Sequence, residues 1–226
     1  MIWNDTGYLL SKNKYNENSI IVEIFSENHG KCSGIIFGAS SKKIKSYLEI
    51  GNKLHLNYTS KNNNKIGYFK PEILHAITPL YFDNRKKLMC IASAMSLIKL
   101  VTVEAQKSPN IFYLIDNFFH ILSSENWTKN YIFWELELLK LVGFDLELKK
   151  IVNEEIVDNQ KKYFEQNNIE KKFVPNFLIE VNDEKIDNLN LISGLKLVGD
   201  YLDKNILKPN NINYPLTRLD FINLLK

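Results

Sequence analysis

The residues best suited to chemistry on a polyanion are lysines concentrated in the first third of the chain. Between positions 31 and 70 the sequence has eight lysines and one acid, a local excess of +7. The eight are Lys31, Lys42, Lys43, Lys45, Lys53, Lys61, Lys65 and Lys70. Residues 79 to 226 hold 19 basic and 20 acidic side chains. A positive field confined to one part of a molecule attracts nucleic-acid backbones. We therefore predict that these lysines bind nucleic-acid phosphates, although for each one an ordinary solvated position is the alternative.

Aromatic side chains are interleaved with these lysines and are candidates for stacking on bases. They are Phe37, Tyr47, Tyr58, Tyr68 and Phe69. An exposed ring contributes about 1–3 kcal/mol per stacked base, whereas the aromatic residues of strands more often belong to a core. From this set Phe37, Tyr47 and Tyr68 are the predicted stacking residues.

No arrangement of residues in the sequence points to catalysis. The four histidines are scattered along the chain, at His29, His55, His75 and His120. Glu135 and Glu137 are two residues apart on a predicted helix, a spacing that does not place them on one face. We therefore expect a protein that is not an enzyme.

Glu135 follows Trp134 in the most apolar helix of the sequence, so its carboxylate is predicted to be buried and structural. A buried carboxylate needs a polar partner. The chain has two arginines, Arg85 and Arg218, and either could serve.

Cysteine usage and hydropathy indicate a reduced, cytoplasmic protein. Cys32 and Cys90 have no histidine or cysteine at ligand spacing, which indicates neither a zinc site nor a disulfide framework. The sequence has no run of eighteen apolar residues and no apolar leader after Met1. The expected location is the cytoplasm.

Short apolar runs separated by turn residues predict five strands before residue 78. They are Tyr8–Leu10, Ile20–Phe25, Ser33–Phe37, Lys53–Tyr58 and Gly67–Phe69. Five short strands without a helix long enough to cover a sheet favour a small closed barrel. We therefore expect an OB-fold domain over residues 1–78, in a chain of α+β class.

Residues 79–226 are predicted to form a helical domain. Apolar residues recur at helical spacing from Leu88 to Val101, after a capping region at Asp83 and Asn84. Further helices are predicted at about 110–122, 128–142, 188–202 and 215–225, the second of these ending at Gly143. Residues 147–187 are expected to be irregular or to form short strands.

Three stretches resemble the RecO family of bacterial DNA-repair proteins, in the order in which that family has them. The first runs from Trp3 to Gly30 and continues through Gly34–Lys43, where Phe37 replaces a usual basic residue. The second, Tyr131–Leu146, resembles the family's aromatic-Trp-Glu-x-x-Leu-Leu helix and the Gly-Phe that ends it. The third is Asn213–Arg218, similar to the proline and arginine that open the last helix.

The resemblance implies a recombination mediator that acts at the bacterial nucleoid. Such a protein would bind single- and double-stranded DNA and anneal complementary strands coated by single-stranded-DNA-binding protein. It would also load the RecA recombinase together with RecR, and hold the C-terminal tail of single-stranded-DNA-binding protein in an apolar pocket. Trp134, Glu135, Gly143 and Arg218 would be its structural residues.

Many relatives carry four zinc-binding cysteines in the region that begins near residue 147. Here Ile151 stands at the place of the first, and no cysteine follows Cys90. A tetrahedral zinc site needs four nitrogen or sulfur ligands, so we expect no cofactor and a region that is shortened or mobile.

Two other functions fit parts of the pattern. A basic barrel alone does not separate RNA from DNA, so an OB-fold RNA-binding protein is one alternative. A metal-dependent nuclease is the other, and it would need clustered carboxylates to hold magnesium.

Overall fold

The computed structural model describes residues 1–61, 66–157, 160–165, 171–180 and 186–226. The chain forms two compact units. The first contains residues 1–120 and 215–221, and the second contains residues 121–214 and 222–226. The expected division into domains of residues 1–78 and 79–226 stays a prediction.

Five strands of the first unit close into a barrel, which confirms the fold expected from the sequence. The strands are β1 (Ile2–Asn16), β2 (Ser19–Ser26), β3 (Gly30–Phe37), β4 (Lys53–Thr59) and β5 (Gly67–His75). Around the barrel their order is β1-β2-β3-β5-β4. β3 and β5 are parallel, through the pairs Gly34–Gly67 and Ile35–Tyr68, and the other neighbours are antiparallel.

Alternate residues of each strand fill the barrel, as the pleat of a sheet requires. The fully enclosed apolar side chains are Leu9, Val22, Ile24, Ile36, Leu54, Leu56 and Phe69. β1 is longer than predicted because it pairs with both β2 and β4. Its second half, from Ser11 to Asn16, is polar and partly exposed, so hydropathy alone did not reveal it.

A short helix that the sequence analysis missed follows β3. This helix, α1 (Lys42–Tyr47), begins after Ser41, whose hydroxyl accepts a hydrogen bond from the Ile44 amide. Ile44 and Tyr47 pack against the barrel core. Six residues are too few to produce a recognisable helical period, which is why hydropathy gave no signal.

Asn52 joins the end of α1 to the segment after β5. Its side chain is fully buried, and its Nδ2 donates to the Tyr47 carbonyl over 3.1 Å. Its Oδ1 accepts from the Thr78 amide, also over 3.1 Å. One side chain thus fixes two segments of the first unit to the barrel.

The helices of the first unit start where their caps predict. α2 (Arg85–Val101) begins after Asn84, whose side chain accepts from the Lys87 amide. α3 (Pro109–Leu122) has proline in its first turn, a position at which the missing amide hydrogen has no cost.

The second unit combines helices with a small sheet. Its elements are α4 (Trp127–Leu141), α5 (Leu148–Ile151), β6 (Val152–Val157), β7 (Gln160–Glu165), β8 (Lys172–Val174) and α6 (Asn188–Leu202). A last helix, α7 (Leu216–Leu225), has its residues up to Phe221 in the first unit and the remainder in the second. The three strands pair in the order β6-β7-β8. The short strands expected within residues 147–187 therefore form one antiparallel sheet, while 158–159, 166–170 and 181–185 lie outside the described residues.

Gly143 ends α4 as predicted. Its φ is +91°, and its amide donates to the Lys140 carbonyl while the Phe144 amide donates to the Leu139 carbonyl. This pattern of bonds satisfies the last carbonyls of a helix and requires a left-handed residue.

We expect Gly143→Ala to lower the free energy of unfolding by about 1–2 kcal/mol, the cost of a Cβ in the left-handed region. Among the described residues, none beyond its chain neighbours lies within 4 Å of the new Cβ, so the cost would come from the backbone alone. Urea unfolding followed by circular dichroism measures it, with the exposed Lys140→Ala as the control. Equal stability of the two variants would contradict this interpretation of the turn.

Candidate nucleic-acid interface

Two aromatic rings lie on the outer face of the barrel where β3 and β5 meet. Phe37 is 59% exposed and Tyr68 is 41% exposed, and their ring centroids are 6.1 Å apart. Ile66, two residues before Tyr68, is also exposed. Large apolar groups gathered on the outside of a barrel favour contact with a ligand.

Lysines lie on either side of these rings. Lys70 shares the outer face of β5 with Tyr68, two residues further along, and is exposed. Lys61 is exposed two residues beyond Thr59, which pairs with Tyr68. We call the surface formed by Phe37, Ile66, Tyr68, Lys61 and Lys70 the seam face.

α1 brings further positive charge next to β5, which carries Tyr68 and Lys70 of the seam face. It follows Phe37 by five residues and contacts β5. Its three lysines, Lys42, Lys43 and Lys45, are all exposed. The acid of this region, Glu49, pairs with Lys12 over 3.4 Å. The helix that hydropathy did not reveal therefore carries the densest part of the predicted basic segment.

Lys31 is held inside the first unit and is not part of the seam face. Its Nζ donates to the Lys99 carbonyl over 2.7 Å. Burial lowers the pKa of its ammonium group. Because this ammonium group is partly buried against α2, we do not include Lys31 in the seam face, and its phosphate contact stays a prediction.

Lys53 is also held by internal contacts. Its Nζ is 2.8 Å from the Asp116 carboxylate and 5.1 Å from the ring centroids of both Tyr8 and Phe112. The Tyr8 hydroxyl donates to the same carboxylate, and burial with this carboxylate nearby raises the pKa of Tyr8. With a side chain 16% exposed, Lys53 fastens β4 to α3, and its phosphate contact stays a prediction.

The other aromatic candidates lie in or against the barrel core and not on the seam face. Tyr47 and Tyr58 are half-buried and pack against the barrel core, and Phe69 is part of that core. Lys65 lies outside the described residues. The sequence analysis missed Ile66, although the spacing Ile66, Tyr68, Lys70 is the period of one strand face and could have revealed it.

Three of the four predicted structural residues, Trp134, Glu135 and Arg218, are buried, whereas Gly143 is exposed. Trp134 and Arg218 are among the most enclosed side chains, and Glu135 is 1% exposed. Within the described part of the chain, every buried side-chain nitrogen or oxygen has a hydrogen-bond partner. Arg85 is exposed, and the expected pairing of Glu135 with one of the two arginines stays a prediction.

Within the described ranges, no three His, Cys, Asp or Glu side chains form a group that could hold a metal ion. The expected absence of zinc stays a prediction. The same residues include no helix long and apolar enough to cross a bilayer.

Comparison with known proteins identifies the family. The family described as "Recombination protein O N terminal" matches residues 1–77, and the one described as "Recombination protein O C terminal" matches residues 83–200. The chain belongs to the RecO family. The barrel is the N-terminal RecO domain, and the match confirms the resemblance found in the sequence.

Relatives that match all or part of the chain carry the name DNA repair protein RecO. The DNA repair protein RecO of Wolbachia pipientis subsp. Culex pipiens is 26% identical over 239 residues, covering 96% of this chain and 97% of that protein. The RecO protein of Rickettsia canadensis is 33% identical over 146 residues, 65% of this chain and 60% of that one. That of Rhodospirillum centenum is 22% identical over 98% of this chain and 94% of its own.

We expect Lys53→Ala to lower the free energy of unfolding by about 1–2 kcal/mol, because it removes an ion pair and contacts with two aromatic rings. Its effect on DNA affinity should be small. Thermal unfolding and fluorescence anisotropy with a labelled oligonucleotide measure the two quantities. Lys42→Ala is the matched control, with unchanged stability and weaker binding. If Lys53→Ala weakened DNA binding and left stability unchanged, Lys53 would be a phosphate ligand.

Proposed function

We propose that this RecO-family chain binds single- and double-stranded DNA on the seam face and α1, and anneals complementary strands. The observation that carries the proposal is the exposed Phe37 and Tyr68 pair with lysines on both sides. In the same proposal the protein helps load RecA together with RecR, as the family resemblance implies. Its role is then that of a DNA repair and recombination mediator.

The charge of this surface supports binding without sequence readout. Lysine ammonium groups neutralise phosphates and release counterions, which gives affinity for any strand. They act as point charges and lack the planar fork with which arginine recognises one base. Both arginines stand outside the surface, since Arg218 is buried and Arg85 begins α2.

Annealing requires no bond chemistry, and the surface suits it. Two complementary strands repel one another through their phosphates, and a cationic surface lowers this repulsion. Rings that stack on one base face leave the hydrogen-bonding edges of the base free. The absence of a catalytic role is part of the proposal.

The protein partners in the proposal rest on the family resemblance. A cavity of about 800 Å³ lies in the second unit beside α6 and β8. Its lining includes the carboxylates of Asp145, Glu147, Glu165 and Asp200 and the lysines Lys150, Lys172 and Lys204. Because the four carboxylates balance the three lysines, the lining offers no excess positive charge for an acidic tail, and we do not assign the tail of single-stranded-DNA-binding protein to this cavity. Titration with an acidic, aromatic-ended peptide tests whether the chain binds such a tail at all.

We also propose that the chain works without zinc. Ile151 lies in α5 and leads into β6, so a helix and a sheet strand occupy the place where relatives begin their zinc site. Metal analysis of protein purified from zinc-supplemented medium tests this, and one equivalent of zinc would overturn it.

Two comparisons separate the proposal from its rivals. Equal affinity for single-stranded DNA and RNA of one length, without annealing, would favour the RNA-binding alternative. Cleavage products after incubation with magnesium would establish the nuclease alternative. We expect DNA to be annealed and to remain intact.

The triple variant Lys42→Ala, Lys43→Ala, Lys45→Ala tests the charge of α1. Affinity decreases with salt, and the slope of log affinity against log salt becomes shallower by roughly 0.7 for each phosphate of a single strand that the protein no longer neutralises. For three lysines we expect a slope shallower by about 2. Anisotropy across a salt series measures it. A variant with Lys140, Lys149 and Lys196 of the second unit changed to alanine has the same net charge and should keep the wild-type slope. Identical slopes for the two variants would contradict the proposed interface.

The double variant Phe37→Ala, Tyr68→Ala tests the rings. Loss of one to two stacked bases costs about 1–3 kcal/mol each, so affinity for a single strand should fall at least fivefold while the salt slope stays unchanged. Tyr113→Ala, at an exposed ring of α3, is the control. An unchanged affinity would mean that the two rings do not touch bases.

A further inference from the structure

A stack of three rings lies at the end of the barrel where β1 begins. The Trp3 indole is parallel to the His29 imidazole, with centroids 4.0 Å apart and an angle of 11°. It is also close to parallel with the Tyr58 ring, at 4.7 Å and 20°. Trp3 pairs with Tyr58 of β4 on one side, and His29 comes from the β2–β3 turn on the other. The imidazole is therefore the outer ring of the stack.

The orientation of His29 is fixed by a buried acid. Its Nδ1 is 2.9 Å from the Oδ2 of Asp5, whose side chain is 2% exposed. Burial by itself would raise the pKa of Asp5, but hydrogen bonds from His29, Asn28 and Thr6 outweigh it and lower the pKa. The carboxylate stays charged and binds the edge of the ring at Nδ1. This hydrogen bond therefore does not use the face of the ring that is turned away from Trp3.

The turn that carries His29 is also held rigid. A Cβ on Gly30 would lie 1.9 Å from the Gln106 carbonyl oxygen, so the turn packs directly on the segment between α2 and α3. That segment provides a cation, because Lys107 donates from its Nζ to the Asn28 side chain over 2.9 Å. The His29 side chain nevertheless remains 35% exposed.

We propose that His29 is a stacking platform for one nucleobase of a bound single strand, with Lys107 beside it for the adjoining phosphate. A base on the outer face of His29, the face turned away from Trp3, would be the fourth ring of a column already ordered by Trp3 and Asp5. Base stacking on an aromatic face tolerates any sequence, which suits a protein that anneals strands of any sequence.

The position of His29 is consistent with one strand that also occupies the seam face. β5, β4 and β1 are neighbours in the barrel, at a spacing of about 4.8 Å per strand. Tyr68 of the seam face pairs with Thr59 of β4, and Thr59 pairs with Ile2 of β1, next to Trp3. The two sites are thus separated by about two strand spacings, and one strand that fills a footprint of about 4–16 nucleotides on an OB-fold can span them. This inference rests on the proposed function, since it needs single-strand binding.

The test compares two ligands of equal charge, oligothymidylate of about 12 nucleotides, within that footprint, and an abasic strand of the same length. His29→Ala should weaken oligothymidylate binding about five- to hundredfold and leave abasic binding unchanged. His120→Ala, at an exposed histidine of α3 in the same unit, should change neither. An equal loss for both ligands would mean that His29 is structural, and would overturn the inference while the proposed function stands.

A second measurement uses the wild-type protein, in case His29→Ala does not fold. Stacking of a base shifts the imidazole proton resonances of His29 upfield through the ring current, and the abasic strand should produce no such shift. Binding of oligothymidylate without the shift would overturn the platform. If the wild-type protein bound neither strand at low salt, the proposed function itself would fail, and the platform with it.

Discussion

Closure of the barrel depends on a close approach of β3 to β5 that only glycine permits. Gly34 and Gly67 face each other across the closing pair. A Cβ on Gly34 would lie 2.5 Å from the Phe69 ring, and one on Gly67 would lie 2.3 Å from the Tyr58 ring. The rings occupy the space that two side chains would need. Any larger residue would have to push an aromatic ring out of its place, and the last gap between strands would stay open.

The same two strands that close the barrel carry the exposed rings on their outer side. Because side chains alternate along a strand, a residue beside an inward glycine must point outward, as Tyr68 does next to Gly67. Packing of the helices then sorts the cations. Lys31 and Lys53 meet α2 and α3 and are held there, whereas the lysines of α1, Lys61 and Lys70 remain exposed. The location of the candidate interface therefore follows from which side of the barrel the helices leave uncovered.

The sequence predicts the strands, the main helices and their ends because each has a local cause. Asn84 caps α2, Gly143 ends α4, and the five strands have apolar runs between turn residues. Local charge also located the basic segment. The sequence could not provide the direction of each side chain, since burial of Lys53 depends on Asp116, 63 residues away. The platform at His29 was hidden for the same reason, because its three rings come from β1, β4 and a turn.

The Asn52 side chain links movement of α1 to movement of the segment before α2. Its amide is satisfied on one side by Tyr47, the last residue of α1, and on the other by Thr78, shortly before α2. If α1 moved alone, a buried polar group would lose its partner, at a cost of about 1–3 kcal/mol. This cost couples the position of α1 to that of the segment before α2, and the hydrogen bond of the Thr78 hydroxyl to the Ile50 carbonyl strengthens the coupling.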